Sequence, residues 1–270
     1  LNNLMNKFLL TLAEYPDNRQ QIYTQYASPR FKKYADMHDF KFIEVTPDKW
    51  RCPAKMVMHD DPDNDKRFSR WYFIQKALDE GAIKDDDIIT YFDCDVYIAK
   101  PEIPLITNKS FSYAVDSGNT HCTGVFSLKV NDYTRKLIKE IISNERYQKL
   151  RNKPRWKENF GASYPLYDHD QDAYYHIVGL PAHSWESYYD VPNYGFHTEK
   201  EDTSFSLEEI LDNTEILPTE WDVTHLVEET GDNGKPNTYD INRTTKDKVI
   251  ARHFAGGQKW DFQRWIDYCE

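Results

Sequence analysis

Apolar residues fall in short runs and in helical spacings, and the two alternate along the first half of the chain. Lys7–Leu12 (KFLLTL) predicts a first strand, closed by the loop Ala13-Glu14-Tyr15-Pro16-Asp17. Residues 18–37 are polar with spaced aromatics and predict a helix. Phe40–Val45 alternates apolar and polar side chains, the period of a half-buried strand. After the charged loop HDDPDNDKR (59–67), Trp71, Ile74 and Leu78 share one helical face over 68–80, with Gly81 as the stop. Ile88–Phe92 is a continuous apolar strand that runs directly into Asp93-Cys94-Asp95.

Two further strands are predicted at 110–115 and 125–130, joined by a turn rich in Ser, Gly, Asn and Thr. Residues 133–150 are amphipathic at helical spacing, 151–169 are irregular, and 171–178 again read as helix. From 181 to 248 Pro, Asn, Gly and Asp are frequent and the pattern weakens. Val249–Phe254 predicts a last strand, followed by Gly256-Gly257 and an aromatic tail. Strands alternating with helices predict an α/β fold with a mixed, mostly parallel central sheet flanked by helices. Ligands in such folds bind at the carboxyl ends of the strands.

Composition narrows the function. The chain has 270 residues, enough for a single α/β domain, and an aromatic fraction of 15% that suits a packed core. Its formal net charge of -11 argues against nucleic acid or anionic membrane as a partner, because phosphate is contacted mainly by Lys and Arg. An anionic ligand would need a metal ion or a local basic cluster. The four cysteines, Cys52, Cys94, Cys122 and Cys269, have no zinc spacing and read as reduced thiols. No apolar run reaches the ~20 residues of a membrane span. With no signal peptide visible, the expected location is cytoplasmic, a trimmed lumenal domain being the alternative; the triplets at Asn108 and Asn242 occur at about chance frequency.

Four stretches carry candidate chemistry. Asp93 and Asp95 at the end of an apolar strand are either solvated turn acids or an oxygen-only cation site for Mg²⁺ or Mn²⁺. In HFAGGQKW (253–260), His253 can complete a carboxylate-held metal site, Gly256 and Gly257 allow close approach of backbone N–H groups to an anion, and Lys259 adds a mobile charge. In DHDQDAYY (168–175), one acid accounts for a helix N-cap and the others are left over. HCTGVFSLKV (121–130) is a small-residue turn entering a strand.

In this order the stretches resemble the metal-dependent nucleotide-sugar glycosyltransferases of the Rossmann-like GT-A fold. The likeness is greatest to family eight, the glycogenin and lipopolysaccharide galactosyltransferase type. YFDCDVYI resembles that family's strand–DxD–strand, and Asp170-Gln171-Asp172 its DQD. TGVFSLKV resembles its Asn-x-Gly-Val turn, with Cys122 where Asn is usual. HFAGGQKW resembles His-x-x-Gly-x-x-Lys-Pro-Trp without the Pro. FSRW (68–71) resembles the Trp-Ser-Lys helix start of the neighbouring xyloglucan xylosyl/galactosyl family, with Arg70 for Lys.

The resemblance implies one GT-A domain: a nucleotide-sugar core at 7–180, an irregular acceptor region at 181–248 and a metal and diphosphate tail at 249–270. It implies a UDP- or GDP-sugar donor, a glycan or other hydroxyl acceptor, and transfer with retention. Asp93, Asp95 and His253 would hold the cation, Asp93 also reaching the ribose. Lys259, with the backbone of Gly256 and Gly257, would hold the diphosphate, and Tyr15 would stack on the base. Arg70 would reach the donor sugar or phosphate. Asp170 would bind sugar hydroxyls and Gln171 would lie near the anomeric carbon. Asp172 or Asp168 beneath that carbon would instead open a covalent or inverting route. Residues 255–270 are expected to close over the bound nucleotide. The rival readings are a non-catalytic nucleotide-sugar-binding domain and a haloacid dehalogenase-type phosphohydrolase.

Overall fold

The computed structural model describes residues 5–13, 19–45, 65–117, 121–143, 145, 170–180, 203–229, 243–255 and 261–269. The chain forms two compact units: residues 1–46, 86–129 and 215–270 make the first, residues 47–85 and 130–214 the second. Its helices are α1 (Arg19–Ile22), α2 (Ser28–His38), α3 (Asp65–Asp79), α4 (Asp132–Ile141), α5 (Asp170–Val178), α6 (Leu207–Asn213) and α7 (Phe262–Cys269). Its strands are β1 (Lys7–Leu12), β2 (Lys41–Val45), β3 (Ile88–Phe92), β4 (Val96–Ile98), β5 (Phe111–Val115), β6 (His121–Lys129), β7 (Thr214–Leu217) and β8 (Ala251–His253).

The first unit is organised by a six-stranded sheet of order β2-β1-β3-β6-β5-β7, with β4 and β8 paired separately. β2 and β3 run parallel to β1, β6 antiparallel to β3, and β5 antiparallel to β6. β1, β2, β3 and β5 therefore share one direction and β6 is reversed, which gives the mixed, mostly parallel sheet expected from the strand–helix alternation.

Between β1 and β2 the chain forms α1, a π-helical turn (Tyr23–Ala27) and α2. The widened turn immediately precedes Pro29, whose missing N–H breaks the regular ladder. Asp39 ends α2 in the left-handed conformation (φ 58°) that short polar side chains tolerate, its N–H bonding the Ala35 carbonyl. The buried face of this segment, including Tyr26, Phe31 and Tyr34, packs with Leu9 of β1, Phe92 of β3 and Val96 of β4. Phe31 stacks on Phe92 with centroids 5.8 Å apart.

The second unit is helical where it is described. Trp71, Ile74 and Leu78 of α3 are buried, as their spacing predicts, and Gly81 follows with φ +70°. The side chain of Asn131 caps α4 by accepting from the Thr134 N–H at 3.0 Å.

Several boundaries differ from the sequence reading. α3 starts at Asp65 rather than Phe68. α4 stops at Ile141, where Ile142 leaves helical geometry (φ -91°, ψ 12°); residues 144 and 146–150 of the predicted helix lie outside the described residues. β8 covers only 251–253. β6 begins at His121, not at 125: the small residues 121–124 are already strand, because β5 and β6 shift register between Tyr113 and Ala114. Tyr113 faces Phe126 and Ala114 faces Cys122, so four steps on β6 oppose one on β5. The surplus forms a bulge that carries Gly124.

The aromatic tail is also different. α7 belongs to the core and is not a mobile cover: Trp265 is 1% exposed and stacks on Phe254 at 4.0 Å. Tyr268 is buried edge-on against Tyr97 at 5.8 Å. Lifting these rings would expose large apolar areas, so a closing segment cannot include α7. Trp265→Ala should lower the unfolding free energy by about 3–5 kcal/mol in urea titrations. A loss below about 1 kcal/mol would make α7 peripheral.

Candidate metal centre

Strand alternation predicts Asp93 and Asp95 on one side of a continuing strand. They lie instead in a turn between β3 and β4, closed by the Val96 N–H on the Asp93 carbonyl at 2.9 Å. The turn is held at both ends. The Asp93 N–H donates to the Gly124 carbonyl at 2.7 Å, and the Phe254 N–H donates to the Asp95 carbonyl at 3.0 Å. Pairing of β4 with β8 sets Val96 opposite His253, so the turn and the histidine arrive together.

The ligand atoms of Asp93, Asp95 and His253 lie within 4.8 Å of one another. His253 Nε2 is 3.4 Å from Asp95 Oδ1. Asp93 is half-buried and accepts the Tyr91 hydroxyl on Oδ1 at 2.7 Å, while Asp95 and His253 are buried.

On the other side of the ring, His253 Nδ1 donates to Asp222 Oδ1 at 2.7 Å. Asp222 is fully buried and follows a short 3₁₀ turn (Thr219–Trp221). The His253 N–H donates to the Val223 carbonyl at 3.0 Å, which ties the two segments together. With Nδ1–H committed to a carboxylate, Nε2 is aimed at Asp95, the arrangement that orients metal-binding imidazoles. Burial opposes the imidazolium form, but the Asp222 and Asp95 carboxylates outweigh it and hold the His253 pKa well above its usual value. A divalent cation at Nε2 would take over the charge that this proton carries.

Gly124 leaves the space the acids use. A Cβ there would sit 2.7 Å from Asp93 Oδ2, 3.0 Å from His253 Cε1 and 3.2 Å from Cys122 Sγ. Cys122 is buried, its Sγ accepts the Gly124 N–H at 3.3 Å, and burial pushes its thiol pKa up. Two carboxylates, an oriented imidazole and a backbone gap beside them fit a divalent cation of the Mn²⁺ or Mg²⁺ kind. Among the described residues, Cys94, Cys122 and Cys269 are not joined in disulfides.

A second cluster lies in the second unit. Asp170, the first residue of α5, accepts on one oxygen from Arg70 Nε at 2.8 Å, from Arg70 Nη2 and from Trp71 Nε1 at 2.6 Å. Asp170 and Arg70 are buried. Gln171 Nε2 donates to the Tyr175 hydroxyl at 3.3 Å on the same helix. The structure therefore joins Arg70 to Asp170, and separately joins Asp93 and Asp95 to His253. Tyr15, Asp168, Gly256, Gly257 and Lys259 lie outside the described residues, as does the side chain of Asp172.

Asp222 has no counterpart among the residues the sequence singled out. Its only signal is a lone acid between Trp221 and Val223, apolar residues near the end of an otherwise unpatterned region.

The mixed, mostly parallel sheet flanked by helices, with the acidic turn after β3, is consistent with the GT-A fold. A solved structure shares it. The crystal structure of a glycosyltransferase involved in the glycosylation of the major capsid of PBCV-1 aligns over 98% of this chain and 98% of its own, with a TM-score of 0.50 and 13% sequence identity. At that identity the likeness is one of fold. No protein-family model and no curated protein matches the sequence. Among the described residues no helix is long and apolar enough to cross a membrane.

The atom nearest a new Cβ at Gly124 is the end of a side chain, so that side chain can yield without the backbone moving. Gly124→Ala should therefore fold normally and bind Mn²⁺ about ten- to a hundred-fold more weakly, the range seen when groups that orient metal ligands are lost. Calorimetric titration of the metal-free protein reads this. Unchanged affinity would place the cation elsewhere.

Proposed function

We propose that the protein is a metal-dependent glycosyltransferase that moves a sugar from a UDP- or GDP-sugar to a hydroxyl of a glycan or other acceptor. The observation that carries this is the convergence of Asp93, Asp95 and His253 at the end of β3, on a fold shared with a glycosyltransferase. The cation held there would supply Lewis-acid charge to the leaving nucleoside diphosphate. A chain of net charge -11 needs such a charge to accept a dianionic group.

The remaining roles follow the family-eight resemblance and are part of the proposal. Asp95 and His253 are buried and hold the cation, while the more open Asp93 also reaches the ribose. Lys259 and the backbone at Gly256-Gly257 hold the diphosphate, and Tyr15 stacks on the base. Arg70 keeps its guanidinium oriented by the Asp170 carboxylate, so that pair presents one positioned donor to the sugar or phosphate. Asp170, Gln171 and Asp172 line the sugar pocket. Transfer proceeds with retention along a front-face path that the leaving phosphate guides.

The phosphohydrolase alternative finds no support in a fold that aligns along its whole length with a glycosyltransferase.

Screening UDP- and GDP-sugars for slow donor hydrolysis should find one whose nucleotide is released with Mn²⁺, is not released in EDTA, and is released again on Mn²⁺ addition. Asp95→Asn should lower this rate at least about a hundred-fold, on the order of 3 kcal/mol, with a native circular dichroism spectrum. Full turnover in chelator, or in Asp95→Asn, would contradict metal dependence. A panel with no turnover, in a protein that binds Mn²⁺ and nucleotide, would favour the binding-domain reading.

A further inference from the structure

Asp222 and His253 account for each other through one hydrogen bond, but two features beside them are unused by the proposed reaction. Asp222 Oδ2 is buried and has no hydrogen-bond partner among the described residues. Cys122 Sγ lies 3.9 Å from His253 Nδ1, the nitrogen that faces away from Asp95. Cys122, Asp222 and His253 are all buried, and their ligand atoms fall within 4.8 Å of one another.

We propose that His253 is shared by two cation sites, one on each ring nitrogen, and that the second, formed by Cys122 Sγ, Asp222 and Nδ1, takes a thiophilic divalent cation such as Zn²⁺ or Cd²⁺ and weakens the first when filled. Ligand chemistry separates the two. Asp93, Asp95 and Nε2 form an oxygen-rich set suited to Mn²⁺ or Mg²⁺, whereas a thiolate with an imidazole and one carboxylate suits zinc or cadmium. Tetrahedral zinc bonds of the usual lengths put sulfur and nitrogen ligand atoms roughly 3.6 Å apart. The observed 3.9 Å between Sγ and Nδ1 is close to that, while the 2.7 Å between Asp222 Oδ1 and Nδ1 is a hydrogen bond that the metal would replace. A small rotation of the Asp222 carboxylate brings either oxygen to bear, and Oδ2 has no hydrogen bond to lose among the described residues.

The geometry explains the antagonism. As the aqueous cation binds, the Cys122 thiol loses its proton to water and Nδ1 loses its proton to water; no electrons move. The cation replaces the Nδ1–Asp222 hydrogen bond that aims Nε2 at Asp95. It also puts a second dication on the ring that the first cation must share. Binding at the soft site stands independently of the proposed transferase activity; only the antagonism rests on the reading of Asp93 and Asp95 as the first site.

The test is a titration of the metal-free protein with Cd²⁺, followed by the ultraviolet thiolate-to-metal charge-transfer absorption, with Mn²⁺ affinity measured by electron paramagnetic resonance before and after. The band should saturate at a single equivalent, and Mn²⁺ affinity should fall at least about tenfold in the Cd²⁺-loaded protein, as loss of one ligand requires. Cys122→Ser should lack the band and bind Mn²⁺ alike with and without one equivalent of Cd²⁺. Cys94→Ser, at the residue between the two aspartates in sequence but outside the cluster, should behave as the unsubstituted chain. Absence of the band overturns the proposal, as does its persistence in Cys122→Ser or undiminished competition by Cd²⁺ in that variant. Should Cys122→Ser not fold, the band must survive in a chain lacking Cys52, Cys94 and Cys269 together, and its loss there overturns the proposal equally. A Cys122-dependent band in a protein that never binds Mn²⁺ supports the soft site and sinks the reading of Asp93 and Asp95.

Discussion

One imidazole lies between two buried carboxylates, and the site depends on that arrangement. Asp222 and Asp95 are 0% and 6% exposed, and His253 lies between them, hydrogen-bonded to one and aimed at the other. Buried carboxylates are tolerated only when positive charge or hydrogen bonds compensate them. Without a metal the compensation is the imidazolium proton. A divalent cation at Nε2 would take over that compensation, with Asp222 holding the ring through Nδ1.

The fold exists to bring these groups together from distant parts of the chain. β3 ends at the acidic turn, β4 continues from it, and β8 supplies His253 by pairing with β4. The bulge in β6 offers the Gly124 carbonyl to the Asp93 N–H and leaves no side chain in the space beside the carboxylates. Behind the turn, Phe92, Val96, Phe254 and Trp265 belong to one aromatic-rich core with Phe31 and Tyr34. A close-packed core of this kind restricts movement, so the ligand atoms are held in place by packing as well as by hydrogen bonds.

Strands of the sheet centre were legible because a buried strand is a continuous apolar run, and Ile88–Phe92 is one. The convergence of Asp93, Asp95 and His253 was legible because they follow such runs and their order resembles a family pattern. The bulge at Gly124 was not, since it arises from pairing with β5 that a local reading cannot see, and small residues at 121–124 read as a turn. α7 was read as a loose tail because its aromatics bury not only against nearby Phe254 but through contacts with Tyr26 and Tyr97, far away in sequence. Asp222 was invisible for the same reason: its meaning lies in a partner on β8. Arg70 and Asp170 were each picked out, but as separate ligand contacts, and their ion pair emerges only when α3 and α5 are seen to meet.

The central claim is that Asp93, Asp95 and His253 bind one divalent cation that serves a nucleotide diphosphate. The most direct measurement is anomalous scattering from crystals grown with Mn²⁺ and UDP or GDP. The account predicts one strong manganese peak among Asp93, Asp95 and His253 Nε2, with diphosphate oxygens completing its coordination. Bound nucleotide with no manganese at that place, or manganese held only by other residues, would contradict it.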